Sequence, residues 1–380
     1  MGPQAAGWAA QLNRIMTATL IGVTGTAALA ATPEPPVLLP QWEPIFSLRN
    51  GGGYKDNVFL SHANRQGSAF VSAGADMLAL RVAPEGPQFS LFAGADFTRF
   101  LELSHSESTA FAQAKVEQDF NRIWQGSFAA EYFYQDQFAD VEFLNPGTNV
   151  ALRAAAIRGH TFAARPAVEM ALPREFRLAL ELPVTRSYFN DLLDDDWRGG
   201  LKLTLARDYG YKSELGVSYG PTWRWYDEDP ALTSSGTSIP GSHRERMQHE
   251  AQLTWRHHWD EPMRWRTTAK CGSRIVEENG GGYADHTQLF ASAQVRYRRA
   301  GWEIAASGGV RYYDYRLQTL SAVDLRTRER TEWSVGVNFE RRLTKRLGLT
   351  VSLDHERTLS NDELESYSVN TVSGTLQWEF

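Results

Sequence analysis

At 380 residues and a net charge of −6, with Lys and Arg scattered along the chain, the sequence carries no basic footprint of the kind that binds nucleic acid. The single cysteine, Cys271, excludes an internal disulfide and any cysteine-rich metal site. A mean hydropathy of −0.41 with 12% aromatic residues is not the composition of a helical membrane protein, and the length admits two ordinary domains or one large all-β domain.

The one helical-looking apolar run is IMTATLIGVTGTAALAA, residues 15–31, behind Arg14 and with the small-residue pattern Ala28-Leu29-Ala30. It reads as a secretory signal, residues 1–30, cleaved near Ala30. The alternative is an anchoring helix, for which the run is Thr/Gly-rich and short. Arg14 is the only basic residue before it, so translation starts at Met1 or near Met16. Residues 32–43 carry four prolines, and 31–44 reads as an extended periplasmic lead-in to a barrel over 45–380.

From Ile45 onward the pattern is alternation, with no amphipathic helix. Phe176, Leu178, Leu180 and Leu182 share one face of a strand, as do Trp333, Val335, Val337 and Phe339, and Leu347, Leu349, Val351 and Leu353. Connections alternate too. Short ones fall at 83–87, 121–123, 173–174, 208–210, 260–262, 300–301 and 344–346; longer polar ones fall at 62–67, 104–108, 139–156, 190–196, 227–243, 279–285, 319–328 and 361–365. Seven short and eight long connections join eight hairpins, hence sixteen strands. That pattern predicts an all-β transmembrane antiparallel up-and-down barrel with short periplasmic turns and longer extracellular loops. A soluble sandwich or propeller is the competing fold, and no regular blade repeat supports it.

Aromatic residues gather at both predicted interfaces. Phe89, Trp124, Phe176, Trp259, Trp265, Trp302, Trp378 and Phe380 lie near short turns; Tyr188, Trp223, Trp225, Tyr226, Tyr312, Tyr313, Tyr315 and Tyr367 lie near long loops. The final strand, YSVNTVSGTLQWEF, puts Val372, Gly374, Leu376, Trp378 and Phe380 on one face, and closure against the first strand spares it an exposed edge.

With that terminal strand, the chain resembles bacterial outer-membrane β-barrel proteins over nearly its whole mature length. The resemblance implies that Val372, Leu376, Trp378 and Phe380 form the signal read by the barrel-assembly machinery, although the stricter pattern has its glycine one place after Gly374. The opening strand, SLRNGGGYKDNVFLS, is similar to a loosely defined group of porin barrels, some associated with exopolysaccharide secretion. The implied setting is the outer membrane of a Gram-negative bacterium, with lipid and lipopolysaccharide around the chain and polysaccharide export components as possible partners.

If the apolar phase faces lipid, the opposite phase lines a lumen. It carries Arg256, Arg266, Lys270, Arg274, Arg296, Arg298 and Arg311, with Arg264 to Arg274 the least balanced stretch. Earlier strands add Arg165, Arg177, Arg198, Lys202 and Arg224, interspersed with Glu169, Glu181, Glu214 and Glu250. Two readings stand: an electropositive wall that selects anionic solutes or acidic sugar chains, or a cross-strand Arg/Glu ladder that only keeps the interior solvated. Asp194, Asp195 and Asp196, beside Asp191, are weak calcium candidates without EF-hand spacing; solvated loop carboxylates are the commoner case.

No motif implies a cofactor, and G-x-S-x-G, P-loop and H-E-x-x-H patterns are absent. His257 and His258 read as an interfacial pair. His62, His105, His243 and His286 near the loops leave open a rim hydrolase site, and a non-conducting adhesive or structural barrel is the other alternative. The two NGGGY stretches, 50–54 and 279–283, read as strand bends or tight loops.

Overall fold

The computed structural model describes residues 42–62, 64–81, 86–140, 154–190, 193–320 and 324–380. The predicted signal, most of the lead-in and Asp191 lie outside them. The described chain is one antiparallel sheet of eighteen hydrogen-bonded segments that make sixteen barrel strands.

Two of these strands are interrupted by prolines. Segments β7 (Phe176–Glu181) and β8 (Val184–Asn190) keep a single register on β6 (Ala154–Leu172), pairing Glu181 with Ala167 and Val184 with Ala164; Leu182 and Pro183 separate them. Next to them, β9 (Asp196–Gly200) and β10 (Lys202–Tyr209) share a register on β11 (Ser213–Tyr226) and part at Leu201, opposite Pro221. Leu201 N–H still donates to the Pro221 carbonyl at 3.1 Å. Each pair of segments is therefore one strand whose rung has lost the bond a proline cannot donate.

The remaining strands run in order: β1 (Glu43–Lys55), β2 (Ser68–Arg81), β3 (Gln88–Phe100), β4 (Ser106–Asp119), β5 (Trp124–Asp140), β12 (Glu245–His258), β13 (Trp265–Glu278), β14 (His286–Arg299), β15 (Trp302–Thr319), β16 (Thr327–Arg342), β17 (Leu347–Ser360) and β18 (Tyr367–Glu379). Each pairs with its sequence neighbour, and β18 returns to β1 from Ser47↔Glu379 to Lys55↔Thr371. The count, the short and long connections and the closure all match the sequence pattern.

Closure depends on glycine at the seam. A Cβ on Gly51 would lie 2.6 Å from the Gly374 carbonyl oxygen; one on Gly52 would lie 2.9 Å from that of Phe70. The first NGGGY stretch therefore brings backbones together within β1 itself, and the second lies in the loop after β13, where Gly281 N–H donates to the Leu232 carbonyl at 2.6 Å.

Period two divides inside from outside. Val217 and Leu289 stand 55% and 52% exposed on the outward phase, an arrangement that suits hydrocarbon rather than water. Trp265, Trp302 and Trp378 belong to that phase near the short turns, and Trp223 and Trp225 near the long loops. Four members of the predicted girdle do not: Tyr226, Tyr313 and Tyr315 are buried on the inward phase, and Tyr367 shares that phase opposite Thr358. Aromatic type marked their height correctly, but alternation decides their face. His257 and His258 divide the same way, with His257 outward, 5.5 Å from the Trp255 ring and 4.5 Å from that of Trp259.

Candidate functional site: the inner wall

All seven cations singled out in the sequence fall on the inward phase. Arg256 pairs in register with Glu214, Arg266 with His258 and Arg296, Lys270 with Thr254, Arg274 with Glu250, Arg298 with Glu303, and Arg311 with Phe290. The antiparallel register thus fixes their heights on neighbouring strands, and a slip of one residue would turn them toward lipid.

Six of the side chains divide into two groups. Arg274 binds Glu250 at 2.6 Å and the Gln288 side-chain oxygen at 2.9 Å. Arg311 pairs with Glu332 at 3.3 Å, and Arg296 and Arg298 share Glu303 at 2.5 and 3.9 Å. For these four the ladder reading holds. Arg274 lies in the stretch that looks least balanced in the sequence, and the facing strand supplies its partner, Glu250. Arg256 and Lys270, joined by Lys202 on β10, have no carboxylate within 4.0 Å among the described residues. The acids nearest in register are engaged elsewhere: Glu214 by Arg177 at 2.7 Å, and Glu250 by Arg274. Lys270 lies close enough to both Lys202 and Arg256 to be repelled by them, and Lys270 and Lys202 are exposed within the barrel.

Toward the long loops the inner wall is packed and compensated. Arg224, Arg244 and Arg246 surround the Tyr226 ring at 4.3, 5.6 and 5.4 Å. Glu278 lies 3.6 Å from both Arg244 and Arg246; Asp196 binds Arg198 and Arg224, each at 2.7 Å. Arg328 pairs with Glu365, and Arg330 with Glu332 at 2.8 Å. Sequence reasoning missed Arg244, Arg246, Arg328 and Arg330. The signal was present, since HRERM and TRER both place arginines two apart, on one face of a strand.

Across the barrel, on β1 to β3, Arg49 sits between Asp76 at 2.9 Å and Asp96 at 3.0 Å. Gly94 makes room for this arrangement, because a Cβ there would stand 2.6 Å from the Asp76 carboxylate. Two carboxylates to one guanidinium make that wall acidic, while the wall of β10 to β14 is basic.

The loop candidates separate. Asp194 accepts the Glu228 and Asp229 backbone N–H groups, both at 2.8 Å; Asp195 accepts that of Phe189 at 2.7 Å; Asp196 is buried on its two arginines. Among the described residues no three His, Cys, Asp or Glu side chains are placed to hold a metal ion. His62, His243 and His286 each bond a different backbone carbonyl, of Ser366, Asp227 and Ala284, and His105 stacks with Phe100. At the rim, the hydrogen bond from Arg186 holds the Asp227 carboxyl below its usual range, while burial raises that of Asp285.

Fold and wall together define a transmembrane β-barrel with a polar, asymmetrically charged interior, which bears out the resemblance to outer-membrane barrels at the level of the fold. No protein-family model matches the chain, and no curated protein matches its sequence. Solved structures to which it is similar include OccK8 (OprE) of Pseudomonas aeruginosa, at 10% identity and TM-score 0.48, covering 89% of this chain and 98% of that one. A BenF-like porin from Pseudomonas fluorescens Pf-5 aligns at 8% identity and TM-score 0.45, covering 90% and 100%. A bacterial polysaccharide outer membrane secretin aligns at 11% identity and TM-score 0.43, covering 88% and 98%.

Proposed function

We propose that this chain is an outer-membrane channel of the porin type whose lumen favours anionic solutes, with export of an acidic polysaccharide as the more specific form of the same reading. The observation that carries it is the group Lys202, Arg256 and Lys270: cations on the inward phase, without a carboxylate in contact, next to the paired Arg296 and Arg298. A ladder that served only to solvate the interior would pair them. Uncompensated charge on a low-dielectric wall raises the local concentration of counter-ions, as in charge-ringed pores. Nothing in this arrangement supplies covalent chemistry, so passage is diffusive or is driven by a partner in the inner membrane.

Single-channel recording in planar bilayers tests the proposal. Steady conductance with chloride preferred over potassium is the expected result, and the triple variant Lys202→Gln/Arg256→Gln/Lys270→Gln should shift that preference toward cations with little change in conductance. A silent barrel would favour the adhesive or structural alternative. Unchanged selectivity in the variant would remove these residues from the permeation path.

A further inference from the structure

The outward phase at the short-turn end carries charge of one sign. Arg81 ends β2, Arg207 lies near the end of β10, Arg299 ends β14 and Arg341 lies at the end of β16. Each faces outward and each is registered against a residue of the apolar belt: Arg81 on Phe89, Arg207 on Phe176, and Arg299 and Arg341 both on Trp302. The guanidinium of Arg81 lies over the Phe89 ring at 5.6 Å and that of Arg207 over Phe176 at 5.3 Å. None of the four has a carboxylate within 4.0 Å among the described residues. Acids are plentiful at this height, but in the strands they point inward: Glu117, Asp208, Glu214, Glu303, Glu340 and Glu379 all belong to the lumen phase. The long-loop end is different. There the outward phase mixes signs, with Asp136 bound to Arg158 at 2.8 Å and with Asp314 and Glu329 beside Tyr312.

We infer that these four arginines form a girdle that binds the phosphate groups of glycerophospholipids in the leaflet around the short-turn end. The aromatic belt sets the level of the hydrocarbon boundary. An arginine level with the belt extends its aliphatic stem along it and carries the guanidinium into the head groups, where its planar fork fits a phosphate. Segregation of the acids to the inside means that an anionic head group meets no repulsion on this face. A partner protein would have to bind around the whole circumference, because the four residues are spread over β2, β10, β14 and β16, and a continuous lipid annulus does so by nature. The inference is independent of what passes through the lumen.

The test uses the full barrel reconstituted in dioleoyl-phosphatidylcholine vesicles, with spin-labelled phosphatidylglycerol or phosphatidylcholine as the probe. Electron spin resonance is expected to show several-fold stronger association of the glycerol lipid, in line with about 1 kcal/mol for each cation near an anionic surface. That preference should fall toward unity in Arg81→Gln/Arg207→Gln/Arg299→Gln/Arg341→Gln and persist in the corresponding lysine variant. If the glutamine variant does not fold, the pair Arg299→Gln/Arg341→Gln should lose about half of it, and salt should screen it in the unaltered protein. No preference in the unaltered protein, or equal preference in the variants, would overturn the proposal, as would selective binding of lipopolysaccharide phosphates by the same four residues.

Discussion

Gly53→Val is expected to prevent the barrel from closing. A Cβ at Gly53 would run into the Val372 carbonyl oxygen and stand 2.6 Å from the Phe70 ring; the ring can turn aside, but the carbonyl belongs to a paired strand and cannot. Overpacking of this kind costs about 1–3 kcal/mol in a core that can relax. Here the clash lies on the one pairing, β1 with β18, that converts an open sheet into a cylinder, and losing it exposes two edges. The expected outcome is loss of the compact, heat-modifiable band in cold detergent electrophoresis. Gly374→Ala, on the partner strand, is the control: its Cβ meets nothing within 4 Å, so the band should remain. If both variants close, the seam is looser than the glycine geometry requires.

The second large effect is expected at Glu278. Its carboxylate is wholly buried between Arg244 and Arg246, whose side chains are 3% and 8% exposed. Removing one member of a buried ionic cluster leaves the others desolvated and uncompensated, at a cost of about 3–5 kcal/mol. Glu278→Gln should therefore lower the denaturation midpoint and open the loop after β11 to protease, since Arg244 also ties that loop through Asp229 at 3.3 Å. Adding Arg246→Gln should restore part of the loss, the signature of a coupled pair rather than two independent defects. Additive losses would show that the cluster is not the unit described.

Phe380 offers a smaller test of the terminal strand. Its backbone N–H donates to the Phe46 carbonyl at 2.9 Å, while its ring projects outward, 66% exposed. Phe380→Ala removes little packing, so a marked fall in assembled barrel in cells, with refolding in detergent unaffected, would support its role as a recognition element for the assembly machinery. Equal losses in both would assign it to stability alone.

The barrel was legible because its strands obey a single rule. Hydrocarbon outside and water inside impose period two over the whole chain, so Val335, Val337 and Phe339 announce their face without reference to a partner. The inner wall was legible only in part. Alternation located Arg256, Lys270 and Arg274 on the same surface, yet which of them keeps a free charge depends on register: Glu250 faces Arg274, whereas Thr254 faces Lys270. A four-residue shift between β12 and β13 would set Glu250 opposite Lys270 instead, and alternation, which excludes only odd shifts, does not fix that choice. The buried cluster at the long-loop end was missed for a related reason. Arg244 and Arg246 look like ordinary loop charges until the strands on either side bring Tyr226 and Glu278 to them.

The interruptions at Pro183 and Leu201 lie side by side, and both preserve the pairing on either side of them. A tube whose rungs keep only one bond each along one line, because Pro166, Pro183 and Pro221 have no N–H to give, is weakest along that crease. Any squeezing of its cross-section, by a bulky passenger or by lateral pressure from the bilayer, will fold the wall there first, a short step from Lys202.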